Sequence, residues 1–100
     1  MTGSHGPMIT VHAEFHSHFK ELAATPRASF ELAEPTVAAL AESICARFGA
    51  QMRAMLIDPD TQELNERGTM FVDAKGRRIS MEDTLEDGDT IAFLVGIAGG

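Results

Sequence analysis

The last five residues, Gly96-Ile97-Ala98-Gly99-Gly100, carry the arrangement with the plainest chemical use in this sequence. A backbone without Cβ atoms can enter a narrow channel in a partner enzyme and adopt whatever φ and ψ that channel imposes. Such an arm would deliver the Gly100 carboxylate well away from the folded body. An α-carboxyl group with a pKa of about 3.5 is ionised at neutral pH and is a poor electrophile. A reaction at that carbon therefore requires prior activation. The competing reading is a frayed end whose glycines have no role, and the tail alone does not separate the two.

Other residues invite chemistry less strongly. His12, Glu14 and His16 share the outward face of a strand pattern, with His18 just beyond. Same-face residues lie about 7 Å apart, so a transition metal could bridge two of them. Nothing in the sequence supplies the orienting partners such ligands need, so this stretch reads as a polar solvent face and no metal site is assigned. Cys45 falls on an apolar helix face and reads as a small buried hydrophobe. Lys75, Arg77 and Arg78 form a basic spot, either a solvated hairpin or a contact for an acidic groove. Glu82, Asp83, Glu86, Asp87 and Asp89 form an acidic run. It is either a solvated face or a means of steering toward a basic partner, an effect that salt would weaken. Neither a glycine-rich phosphate loop nor a Ser-His-Asp arrangement is visible.

The whole chain bounds these readings. It has 100 residues, 44% apolar and 23% charged, which supports one domain with one modest core. Eight basic against fifteen acidic side chains leave a net charge of -7, a poor match to a phosphate backbone, so no nucleic-acid partner is expected. A single cysteine excludes an internal disulfide framework and fits a reducing compartment. There is no membrane-length apolar run and no signal-peptide pattern. The expectation is a small, acidic, cytoplasmic domain that binds no cofactor of its own.

The elements that must position the arm follow from periodicity. Residues 1–7 are polar and glycine-rich, and read as a disordered leader or an appended remnant; the folded domain spans residues 8–95. Ile9, Val11, Ala13 and Phe15 alternate with polar residues, which predicts a half-buried strand. Residues 17–27 read as a loop or short turn with Phe19 and Leu22 tucked onto the core. Ala28, Phe30 and Leu32 predict a second strand. Thr36 is placed to cap a helix running to Phe48, with Val37, Leu40, Ala41, Ile44, Cys45 and Phe48 on one face and Gly49 as its stop. Residues 51–67 give a weak signal, a short helical or extended piece, with a turn at Asp58-Pro59-Asp60. Residues 69–73 and 77–80 read as a hairpin around Ala74-Lys75-Gly76. Thr90–Val95 is apolar at successive positions, which predicts a strand buried on both faces at the sheet centre.

This order of strand, strand, helix, strand, strand, strand resembles a ubiquitin-like β-grasp, an α+β fold with a mixed sheet and one main helix. The stretch Leu85-Glu86-Asp87-Gly88-Asp89-Thr90-Ile91-Ala92-Phe93-Leu94, followed by Gly-Ile-Ala-Gly-Gly, resembles the C-terminal signature of the MoaD/ThiS sulfur carriers. Pro35-Thr36-Val37-Ala38-Ala39-Leu40 and Met70-Phe71-Val72-Asp73 resemble the helix start and third strand of that family. The length is closest to that of the molybdopterin-synthase small subunit. Molybdopterin members often carry prolines before the terminal glycines, where this chain has Val95 and Gly96.

The resemblance implies that a ubiquitin-activating-type adenylyltransferase uses ATP to adenylate Gly100. A persulfide then leaves a thiocarboxylate there for a sulfur-accepting enzyme such as a synthase large subunit. Gly96, Ile97, Ala98 and Gly99 would thread the partner's channel, and the carrier would be non-catalytic by itself. A ubiquitin-like modifier joined through Gly100 to target lysines needs the same activated tail, and a plain interaction module with a chance Gly-Gly end is the third reading. If Ile91, Phe93 and Val95 face the core, Ala92 and Leu94 face outward as a partner-docking patch that Phe71 extends. The alternative is that the 51–67 stretch covers that face.

Overall fold

The computed structural model describes residues 8–65 and 68–95. The expectations placed on residues 1–7 and on the arm, residues 96–100, lie outside them. The elements run β1 (Ile9–Phe15), α1 (His18–Ala23), β2 (Arg27–Leu32), α2 (Val37–Phe48), α3 (Ala50–Leu56), β3 (Thr69–Asp73) and β4 (Thr90–Val95). The strands form one mixed sheet in the order β2-β1-β4-β3. β1 and β4 are parallel neighbours at its centre, with Phe15 opposite Phe93, and the two outer strands are antiparallel to them.

The helices pack on one face of this sheet. Strand alternation sends Val11, Ala13, Phe15, Phe30, Leu32, Phe71, Ile91 and Phe93 into the same core as Val37, Leu40, Ala41, Ile44 and Cys45 of α2 and Met52 and Leu56 of α3. All six phenylalanines join in a continuous run of ring contacts, from Phe30 through Phe48 and Phe15 to Phe93, where Phe19 and Phe71 also meet. Mostly edge-on pairs of this kind suit the charge distribution of the rings. Thr36 caps α2 as its sequence implies: its backbone is extended and its hydroxyl accepts the Ala39 N–H at 3.1 Å. Gly49, at φ 96°, ends that helix, and α3 starts at once on its far side.

Three expectations are corrected. Residues 17–27 are not a plain loop but hold α1, which buries Phe19 completely while Leu22 packs at the core margin. Six residues are too few to print a helical repeat in sequence. Residues 77–80 do not form a full strand. They touch β3 through a single bridge, Val72 to Arg78, flanked by backbone bonds from Asp73 N–H to the Arg77 carbonyl and from Ile79 N–H to the Phe71 carbonyl. The return run is then diverted by a turn in which Asp83 accepts the Ser80 N–H. Finally, β4 is central but not buried on both faces. Ile91 and Phe93 are buried while Thr90, Ala92, Leu94 and Val95 are half-buried, because the described helices cover one side only.

Candidate functional site around the end of β4

Since β1 and β4 run parallel, both finish at the same end of the sheet, and Gly96 continues from there. The His16 N–H donates to the Phe93 carbonyl at 3.0 Å, and the Phe15 N–H to the Pro26 carbonyl at 2.9 Å. These bonds seat α1 beside the last turn of β4, with Phe19 and Phe93 ring centroids 6.0 Å apart. On the other side Thr69 of β3 lies opposite Val95 and donates its hydroxyl to the Asn65 carbonyl. The C-terminal end of β4 is thus framed by β1 and α1 on one flank and β3 on the other.

The apolar patch expected on β4 is placed differently from its sequence reading. Ala92 and Leu94 do lie on the face away from the helices, both half-buried. Phe71 does not extend them: it is fully buried, in edge contact with Phe19 and Phe93. Its neighbours Met70 and Val72 take that place, directly opposite Leu94 and Ala92. Successive residues of a strand point to opposite faces, so the patch passes from Phe71 to the residues on either side of it. Pairing register could have found them, had the partner of each β4 residue been known. The described part of the stretch after α2, residues 50–65, turns its apolar side chains elsewhere: Met52, Leu56, Ile57 and Leu64 all join the core.

A polar ladder borders the apolar patch. Glu14 of β1 lies opposite Ala92, and its carboxylate reaches Arg27 at 3.6 Å and His16 at 3.9 Å. His12 Nδ1 pairs with the Ser29 hydroxyl at 2.8 Å, and His18 Nδ1 with Glu21 at 3.0 Å. Among the described residues no three His, Cys, Asp or Glu side chains converge on a point where a metal ion could sit. Cys45 is buried in the core, and that burial pushes its thiol pKa up, away from nucleophilic use.

The opposite end of the sheet is built from turns. The acidic run there is largely occupied with backbone groups. Asp87 accepts the Thr10 N–H at 2.8 Å, Asp89 the Glu86 N–H at 2.8 Å, and Asp83 the Ser80 N–H at 2.9 Å. Asp73 accepts both the Lys75 and Arg77 N–H groups at 2.9 Å. The bond from the Arg77 backbone, above all, holds its carboxyl below the usual carboxylate range. An open groove of about 580 Å³ runs past these turns, lined by Lys75, Arg78, Asp83, Glu86 and Asp89 among others.

The topology and the framed end of β4 are those of a ubiquitin-like β-grasp protein. Solved structures of that class share the fold. Small archaeal modifier protein 1 from Haloferax volcanii superposes with a TM-score of 0.74 at 14% identity, covering 91% of this chain and 99% of that one. The corresponding modifier from Methanosarcina acetivorans gives 0.69 at 19% identity over 95% of this chain and all of that one. A Pyrococcus furiosus protein described as molybdopterin converting factor, subunit 1, gives 0.67 at 22% identity over 89% and 99%. No protein-family model and no curated protein matches the sequence. Among the described residues no helix is long and apolar enough to cross a membrane.

Proposed function

We propose that this protein is a sulfur carrier that works through its Gly100 carboxylate, in the synthesis of a sulfur-containing cofactor and most directly of molybdopterin. The observation that carries this reading is the sequence Gly-Ile-Ala-Gly-Gly set directly after the central strand of a ubiquitin-like β-grasp. An ATP-dependent adenylating enzyme would join Gly100 to AMP with loss of pyrophosphate. A persulfide sulfur on a second protein would then displace AMP, and a thiol would cleave the resulting acyl disulfide to release the thiocarboxylate. The carrier contributes geometry: a rigid body to grip, and a thin arm that brings the reacting carbon into each partner's site. Met70, Val72, Ala92 and Leu94 are the grip, next to the arm's root. The lone, buried Cys45 fits work in the reducing cytoplasm.

The test is sulfur incorporation at the C-terminus, read by intact mass spectrometry as one sulfur gained for one oxygen lost. ATP, an activating enzyme and a sulfur donor are supplied. Deleting Gly100 should abolish the gain, and Gly99→Ala should reduce it, with thermal melting unchanged in both. Sulfur acquired by the Gly100 deletion would refute the carrier reading.

A second reading, a modifier joined through Gly100 to lysines of other proteins, is favoured by the description of two of the structural neighbours as small archaeal modifier proteins. Isopeptide products in the same assay, without any thiocarboxylate, would put it in place of the first.

A further inference from the structure

The sheet has two outer strands, and the chain treats them differently. The free side of β3 is partly closed by residues 77–79, through the Asp73 N–H on the Arg77 carbonyl and the Ile79 N–H on the Phe71 carbonyl. The free side of β2 has no such cover among the described residues. Its six residues include neither the proline nor the lysine that commonly blunts an exposed edge. We infer that this edge is a pairing surface for a second copy of this chain, β2 against β2, antiparallel about a two-fold axis through Ser29. The surface is separate from the carrier and modifier readings and depends on neither.

Register decides which groups face outward. The Phe15 N–H donates to the Pro26 carbonyl, so positions 26, 28, 30 and 32 turn their backbone bonds toward β1. Arg27, Ser29 and Glu31 therefore turn theirs away from the sheet. The Arg47 guanidinium, which reaches the Ser29 carbonyl at 3.2 Å from outside the sheet, agrees with this direction. The Ser29 N–H and both Glu31 backbone groups have no partner among the described residues. The side chains at the same three positions are exposed on the face away from the helices, and they select the partner. Arg27 and Glu31 lie about 13 Å apart along their own strand, too far to meet each other. Glu31 has no ion pair among the described residues, and Arg27 meets only Glu14, at 3.6 Å. Antiparallel pairing centred on Ser29 sets Arg27 of each copy opposite Glu31 of the other, Ser29 opposite Ser29, and Ala28 opposite Phe30. Opposite charges placed in this way favour a strand pair, and each of the three outward positions exchanges two backbone bonds with its counterpart.

Two side chains guard the edge, and pairing competes with them. Thr25 Oγ1 donates to the Arg27 carbonyl at 3.0 Å and accepts the Arg27 N–H at 3.5 Å. These bonds lie at the end of the strand and give way to equivalent bonds from a partner strand. Arg47 bonds to Ser29 with its guanidinium 4.1 Å from the centre of the Phe30 ring. A carbonyl oxygen has a second lone pair, so Arg47 stays in place while the Ser29 N–H of the other copy approaches. A net charge of -7 on each copy also opposes association until salt screens it. The pair is therefore weak and concentration-dependent. The apolar patch on β4 and β3 lies beyond β1 from this edge and stays open in the pair.

The test is sedimentation equilibrium of the full chain in about 0.15 M salt, between about 10 μM and about 1 mM protein. The wild type should pass from the mass of one copy to that of two. Arg27→Glu and Glu31→Arg, each alone, oppose like charges at both ends of the joint and should weaken pairing at least about tenfold. Mixed in equal amounts, the two variants should pair again, because each then offers the charge that the other lacks. Ser29→Pro removes an outward N–H, a change that an edge strand tolerates, and should abolish pairing with thermal melting little changed. A wild type that stays a single copy throughout overturns the inference. So does a pair that survives these substitutions, or charge variants that fail to pair when mixed. Association broken by Leu94→Thr and untouched by the β2 variants would move the joint to the apolar patch and overturn it as well.

Discussion

In the connection that carries α1, the two residues with positive φ are Ser17 at 55° and Ala24 at 59°, both with a Cβ. At the opposite end of the sheet the corresponding residues are Gly76 at 80° and Gly88 at 90°. The contrast extends to hydrogen bonding. Ser17 begins α1 without a side-chain cap, while the far turns are fastened by the carboxylates of Asp73, Asp83, Asp87 and Asp89. One end is built for economical turning, with glycine where φ must be positive and an aspartate at each bend. The other keeps two unfavourable backbone conformations in the segment beside the C-terminal end of β4. Strain held in place by its surroundings concentrates at functional sites. Here the surroundings that hold it are Phe19 inside the core and the backbone bonds from Phe15 and His16.

Four substitutions test how far this division runs. The largest effect belongs to Phe71, which sits in β3 between two patch residues and yet serves the core. Phe71→Ala should cost about 3–5 kcal/mol in chemical denaturation, as expected for an aromatic side chain removed from a packed interior. A cost under 1 kcal/mol would return Phe71 to the surface. Next comes the patch itself. Val72→Thr and Leu94→Thr keep strand-compatible side chains, so melting should change little, while loading by the activating enzyme should fall about tenfold if these are anchor contacts. Equal loading of wild type and both variants would place the grip elsewhere. The smallest effect is at Ala24, where Gly should relieve the left-handed backbone and stabilise the fold by about 0.5–1 kcal/mol. A destabilised Ala24→Gly would mean that the conformation is not strained, and the contrast between the two ends would lose half its basis.

Sequence legibility followed the length of each pattern. β1 and α2 were readable because seven alternating and twelve helical positions repeat their period more than once. β4 was readable as central from its apolar run, although half of that run lies half-buried on the face away from the helices and not on a second buried face. α1 was unreadable because its packing rests chiefly on Phe19, one residue in a six-residue helix. The patch was half legible for a reason of parity. Ala92 and Leu94 follow from Ile91 and Phe93 within a single strand, but Phe71 could be assigned a face only through its pairing with Phe93, which no local pattern contains. The acidic run looked like a solvated surface since composition cannot tell a free carboxylate from one bonded to a backbone N–H three residues away, as Asp83 and Asp89 are.

The parallel pairing of β1 with β4 has a consequence for how the protein is made. His12 and Thr90 are register partners 78 positions apart (90 − 12), so the centre of the sheet closes through the longest-range strand pairing among the described residues. Contacts of this kind form late and slow the folding of small domains. Synthesis runs from the amino end, and β4 follows every other described element. Until it arrives, β1 has only β2 beside it, and that hairpin waits with one edge open. Residues 96–100 follow directly in sequence on the strand that completes the sheet, so the body can close only once the residues just before them have been made.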